Sequence, residues 1–117
     1  MPDLATLLSN QGVQAASVVL AYEDLPPERT LAGRVRVGTA VLGELGGRTI
    51  GVWEISPSVS TDVESEEFFV VLAGEGTIQF SDGSPDLVLR AGVVGRLAAG
   101  AATTWTVTQT LRKIYIV

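Results

Sequence analysis

A chain of 117 residues with a net charge of −5, eight scattered basic residues, no cysteine and no histidine is of single-domain length and excludes several classes at once. It has no disulfide framework, no thiolate nucleophile and no Cys or His ligand for zinc, and no imidazole to activate a hydroxyl in a Ser–His–Asp arrangement. It has no concentrated basic face for nucleic acid, whose phosphates supply most of such affinity. No run approaches the roughly 20 apolar residues of a membrane helix, and the N-terminus lacks the basic stretch of a signal peptide. The expected compartment is the cytoplasm, with neither nucleic acid nor membrane as partner.

Valine, threonine and glycine are plentiful and lysine occurs once, a composition that favours strands. Asp3 is a candidate cap for one helical turn through Leu4, Leu7 and Leu8 that ends near Gly12. QAASVVLAY (14–22) is the first expected strand. EDLPPERT follows, and its paired prolines forbid a central strand. RVRVGTAVLGEL (34–45) comes next, with Gly38 as a bulge position, and GELGGRT turns the chain into TIGVWEISP (49–57). The acidic stretch SVSTDVESE reads as a loop, leading into EFFVVLAG (67–74) and GTIQFS (76–81). Asp82-Gly83 is a hairpin signal. LVLRAG (87–92), VVGRLAAG (93–100), ATTWTVTQ (102–109) and RKIYIV (112–117) complete the chain. Roughly eight or nine short strands, with turn signals about every 8 to 12 residues, describe an all-β sandwich or barrel.

Four pieces between residue 51 and the end carry a resemblance: GVWEISP; EEFFVVLAGEGTIQF, with six residues between Glu67 and Gly74; LRAGVVGRLAAGAATTW, with Gly92 and Gly100; and TLRKIYIV. Together they resemble a cupin, a small jelly-roll barrel. Within that superfamily they look most like the short single-domain cupins grouped with ureidoglycine aminohydrolase and ethanolamine-utilisation proteins. The resemblance implies a metal site of histidines and a glutamate, with Glu67 as the glutamate. Its histidine positions fall on Ser60 and Asp62 (or Thr61 and Val63) and on Thr103. A hydroxyl–carboxylate set of this kind suits at most a hard cation such as Mg²⁺ or Mn²⁺, so the expectation is no transition metal and no cofactor. Gly74 and Gly76 are expected to form a strand-to-strand turn with positive φ.

Alternation along strands groups the side chains. With Glu67 inward, so are Phe69 and Val71; Thr103, Trp105 and Val107 share a face, as do Trp53 and Ile55. On the last strand the inward set is Ile114 and Ile116, or Tyr115. The pocket expected from this is lined by Trp53, Glu67, Phe69, Thr103 and Trp105. Two readings of Glu67 stand: a ligand-contacting carboxylate and candidate acid or base, or a structural partner of Arg96 or Arg48. Trp53 and Trp105 fill the barrel or contact a ligand. Arg96 clamps a ligand carboxylate or sits on the outer face. Asp62, Glu64 and Glu66 should face away from Glu67, as a solvated surface.

The expected architecture is one domain over 1–117, a single cupin barrel with its core at 49–117. The N-terminal extension, 1–33, is expected in a homodimer contact, with QAASVVLAY as the strand that crosses. Three functional readings follow: a metal-free cupin that binds an unknown small molecule without catalysing a reaction; an enzyme of small-amine or ureide metabolism with Glu67 as base; or a structural or regulatory barrel filled by its own side chains. A cavity beside Trp53 and Trp105 separates the first from the third.

Overall fold

The computed structural model describes residues 6–117. Nine strands form one curled sheet: β1 (Ala21–Asp24), β2 (Thr30–Ala32), β3 (Arg36–Leu45), β4 (Arg48–Ile55), β5 (Ser58–Val63), β6 (Glu67–Phe80), β7 (Leu87–Arg90), β8 (Val94–Leu97) and β9 (Ala102–Ile116). The hydrogen-bonded order is β1-β3-β4-β9-β5-β2, and β6 pairs with β7, β8 and β9. This is the all-β jelly roll expected from the sequence. No helix among the described residues is long and apolar enough to cross a membrane.

β9 organises the barrel. On one edge its first half pairs with β5 and its second half with β4; on the other edge it pairs with β6 along most of its length. Its odd-numbered residues Thr103, Trp105, Val107, Leu111 and Lys113 are buried, as a two-residue period requires. β6 keeps odd residues Phe69 and Val71 inward, then even residues Gly76 and Ile78. Three register shifts between Val71 and Gly76 produce this change of phase, because each bulge inserts a residue that moves the side chains to the other face. Gly74 lies there at φ 92°, and a Cβ on it would run into the carbonyl oxygen of Thr110. The chain therefore does not turn at Gly74 and Gly76, as expected, but continues as one bent strand, and Gly76 has no positive φ.

Other expectations are corrected. The acidic stretch is a strand over 58–63, paired to β9. The paired prolines do keep a central strand out of their stretch: Pro27–Arg29 forms a 3₁₀ turn, and residues 30–32 form a short edge strand on β5. Within 14–22, residues 15–17 form a 3₁₀ turn and only 21–22 belong to a strand, β1, which runs on to Asp24 and pairs with β3. The expected N-terminal helix begins outside the described residues; residues 6–8 carry no regular element. The bulge expected at Gly38 lies instead between Val41 and Gly43.

Two apolar clusters hold the sheet. Ile55, Phe69, Val71, Ile78, Leu97 and Trp105 are among the residues inside the barrel. On the outer face, Val18 and Leu20 cover Ala40, Leu42 and Val52. Arg112 fastens this cover: its Nη1 donates to the carbonyls of Ala15 and Val18, both at 3.0 Å, while its Nη2 pairs with Glu54 at 2.7 Å. Tyr22 donates its hydroxyl to the same Glu54 at 2.6 Å.

Candidate functional site

Where β4, β5, β6 and β9 converge, their inward side chains build a charged, aromatic interior. Glu67 opens β6, and its Oε2 accepts from the Lys113 ammonium of β9 at 2.5 Å. Both side chains are nearly buried, at 11% and 5% exposure. Neither Arg96 nor Arg48 is the partner that the sequence suggested. Three rings surround the ammonium: Trp53 with its centroid at 4.5 Å, and Phe69 and Trp105 at 5.0 Å each. Ring faces carry negative quadrupole density and hold a cation by electrostatics, so carboxylate and rings together compensate Lys113 for its lost water.

Glu64 is the second buried carboxylate, 8% exposed. Alternation placed it on a solvated surface together with Asp62 and Glu66; only Glu66 is exposed. The strand stops at Val63, and Glu64 bonds across to the turn before β9, its N–H donating to Ala101 O at 2.9 Å and its carbonyl accepting from Gly100 N–H at 2.8 Å. Leaving the ladder there resets the phase before β6 begins, so Glu64 and Glu67 both point inward. Glu64 Oε2 accepts from Thr103 Oγ1 at 2.5 Å and from Trp105 Nε1 at 2.9 Å. Burial, aided by the charge of Asp62, raises the carboxyl above the usual glutamate range; the hydrogen bonds from Thr103 and Trp105 and the Lys113 ammonium only reduce that shift. Burial and the charge of Glu67 also raise the Tyr115 hydroxyl.

Two cavities with walls in common lie beside these groups. A chamber of about 120 Å³ is lined by Glu64, Glu67, Lys113, Tyr115 and the Trp pair, among others. It shares Thr39, Trp53, Asp62 and Trp105 with a cleft of about 510 Å³, whose lining includes Glu23, Pro26, Arg29 and Ser60. A volume of this order suits a small organic ligand. Trp53 and Trp105 form one tilted pair, centroids 5.5 Å apart. At the mouth Arg29 reaches Asp62 Oδ1 at 2.8 Å and Thr61 O at 3.1 Å. A broader groove of about 740 Å³ on the far side of Asp62 is lined mainly by hydroxyls and short side chains such as Thr61, Ser81, Ala102 and Thr104.

Trp53, Glu67 and Trp105 thus meet at the cavities. Phe69 is fully buried beneath Lys113 and lines neither of the two. Thr103 is buried, holds Glu64 and faces the broader groove. Arg96 points outward, pairing with Glu66 at 2.7 Å over the Phe68 ring. Sequence reasoning missed Glu64 and Lys113; of the two alternatives it left for the last strand, the structure takes Tyr115. One signal for Lys113 was available: it is the only lysine of the chain, placed two residues from Leu111 and from Tyr115.

The positions where the resemblance puts histidines carry Ser60, Asp62 and Thr103. Asp62 is engaged by Arg29, Thr103 by Glu64, and Glu67 by Lys113. No group of three or more His, Cys, Asp or Glu side chains among the described residues is placed to hold a metal ion. This oxygen-only donor set lacks the nitrogen and sulfur ligands that Fe, Ni and Zn favour.

The comparisons agree with the architecture. The sequence profile of the EutQ-like cupin domain matches residues 42–115. A putative ethanolamine utilization protein Q from Salmonella typhimurium superposes with a TM-score of 0.58 at 18% identity, over 68% of this chain and 67% of that one. The Clostridium difficile EutQ protein gives 0.60 at 19%, over 70% and 67%. A Pseudomonas syringae protein of unknown function from the DUF861 family gives 0.73 at 23%, over 86% of this chain but 44% of that one. No curated protein matches the sequence. With the profile covering more than half of its length and the barrel formed as that profile implies, the chain belongs to the EutQ-like cupin family.

Proposed function

We propose that the protein is a small-molecule-binding cupin whose cleft works around a built-in cation, the Lys113 ammonium, rather than a bound metal. The observation that carries this reading is the open cleft: Trp53 and Trp105, although packed with the barrel core, also line both a cleft and a chamber that the barrel's own side chains leave unfilled. An apolar wall with a few convergent polar groups is the usual make-up of a small-ligand site. An enzyme using Glu67 as a free base is less well supported, because that carboxylate is held by Lys113. Glu64, Glu67, Lys113 and Tyr115 sit at the end of the cleft as recognition groups.

Both tryptophans of the chain line the cleft, so intrinsic fluorescence reports on its occupancy. Titration with a panel of small anionic, neutral and cationic organic molecules is expected to give a saturable change for at least one chemical class. Thr39→Phe, which adds a ring at a position lining both cavities, is expected to remove that response. The reading fails if no class gives saturation, or if the filled variant responds like the parent.

A further inference from the structure

We propose that the cleft takes a compact organic cation, an ammonium or guanidinium head on a short apolar stem, with the head docked on Glu64 Oε1 and the stem along Trp53 and Trp105. This rests on the reading that the cleft binds a small molecule, and it names the class of that molecule.

The inference starts from which charges are already matched. Lys113 has Glu67 and three ring faces; Arg29 has Asp62 and the Thr61 carbonyl. Glu64 has no cationic partner among the described residues. It is more than nine-tenths buried, and both of its hydrogen bonds go to Oε2. Oε1 accepts no hydrogen bond from a described residue, yet no fully enclosed side-chain oxygen is left unpaired. Oε1 therefore keeps accessible surface, and Glu64 lines the chamber. Asp62, Glu64 and Glu67 face Lys113 and Arg29 along the chamber and cleft, which leaves one negative charge unmatched.

A buried carboxylate without an ion-pair partner of its own is costly, and Lys113 nearby is already held by Glu67. The raised proton affinity of Glu64 is the trace of that cost in the free protein. A cationic head within hydrogen-bond reach of Oε1 supplies both the missing charge and the missing donor, the stronger kind of hydrogen bond. An anionic ligand would meet two cations that already have carboxylates, and would lie against an unmatched third. Glu23 adds acidic character to the cleft lining, while Asp24 there is matched by Arg34 at 3.1 Å. The chamber, at about 120 Å³, admits an ammonium or guanidinium head and little more, while the half-buried Trp53 offers apolar area and π density to the stem and head.

The test uses four probes at one pH: n-butylammonium, n-butylguanidinium, butyrate and n-butanol, titrated into the full chain by calorimetry and by tryptophan fluorescence. One of the two cations is expected to bind at least about tenfold more tightly than butyrate and butanol, a gap of about 1.4 kcal/mol. Glu64→Gln retains a carbonyl oxygen for Thr103 and Trp105 but places an NH₂ group at Oε1. It is expected to lose the cation preference while keeping the parent's near-ultraviolet dichroism. If butyrate or butanol binds as well as the cations, the class assignment is overturned and the cleft reading survives. If a cation binds equally well to a folded Glu64→Gln protein, the docking group is wrong. If Glu64→Gln does not fold, the probe order in the parent still decides the class. If no probe binds at millimolar concentration while another molecule saturates the fluorescence, the inference fails alone; if nothing saturates it, both readings fail.

Discussion

Replacing Lys113 by methionine is expected to destabilise the protein by about 3 kcal/mol or more, the range found when one partner of a buried ion pair is removed. Methionine preserves much of the stem volume, so packing contributes little to the loss. What remains is Glu67, 11% exposed, with its ammonium gone. It must either hold its charge without a partner or take up a proton. Glu67→Gln in the Lys113→Met background should recover part of the loss, because a neutral pair of similar shape removes the unpaired charge. The two substitutions touch, so their effects should be non-additive by about 0.5–3 kcal/mol. Equilibrium urea unfolding of the four proteins in this cycle measures both quantities. A single Lys113→Met substitution that costs less than about 1 kcal/mol would place the pair in water and contradict the buried geometry.

Phe69→Ala is expected to be at least as severe, about 3–5 kcal/mol. Phe69 has no exposure in the barrel core. Its ring is seated against Gly95, where any Cβ would collide with it, so the two positions fit as a pair. Truncation leaves a cavity that rigid strands on both sides cannot close, and it removes one of the three rings around the Lys113 ammonium. Phe69→Leu retains apolar volume and should cost much less. The ratio of the two losses, read from the same unfolding curves, separates a packing role from a surface one. Equal small losses would contradict the placement of the ring.

The fold was legible because it is written in local signals: alternating Val, Ile and Thr, turn glycines, and the Glu67–Gly74 and Gly92–Gly100 spacings. The interior of the site was less so, for three reasons that trace to particular residues. On the last strand, alternation separates Leu111, Lys113 and Tyr115 from Arg112, Ile114 and Ile116, but the outer face of this sheet is apolar too. It carries Val52 and Leu42 under the N-terminal segment, so hydropathy does not say which set faces inward. Glu64 was placed on the surface by counting in twos through a stretch where the strand has ended. A two-residue period holds only while the ladder continues, and here Glu64 leaves it to bond with Gly100 and Ala101. The bulges around Gly74 have the same effect on β6, where the inward set passes from odd to even numbers. Long-range pairing decided each of these cases, and no local signal records it.

We propose that the Lys113 ammonium, rather than a metal, organises the cleft, and metal content tests this most directly. Untagged protein purified without chelator, then measured by inductively coupled plasma mass spectrometry after incubation with Mn, Fe, Ni and Zn salts and desalting, should retain far less than one equivalent of any of them. Retention of about one equivalent, lost on Glu67→Gln substitution, would show that Glu67 serves a metal in place of Lys113 and would contradict the account.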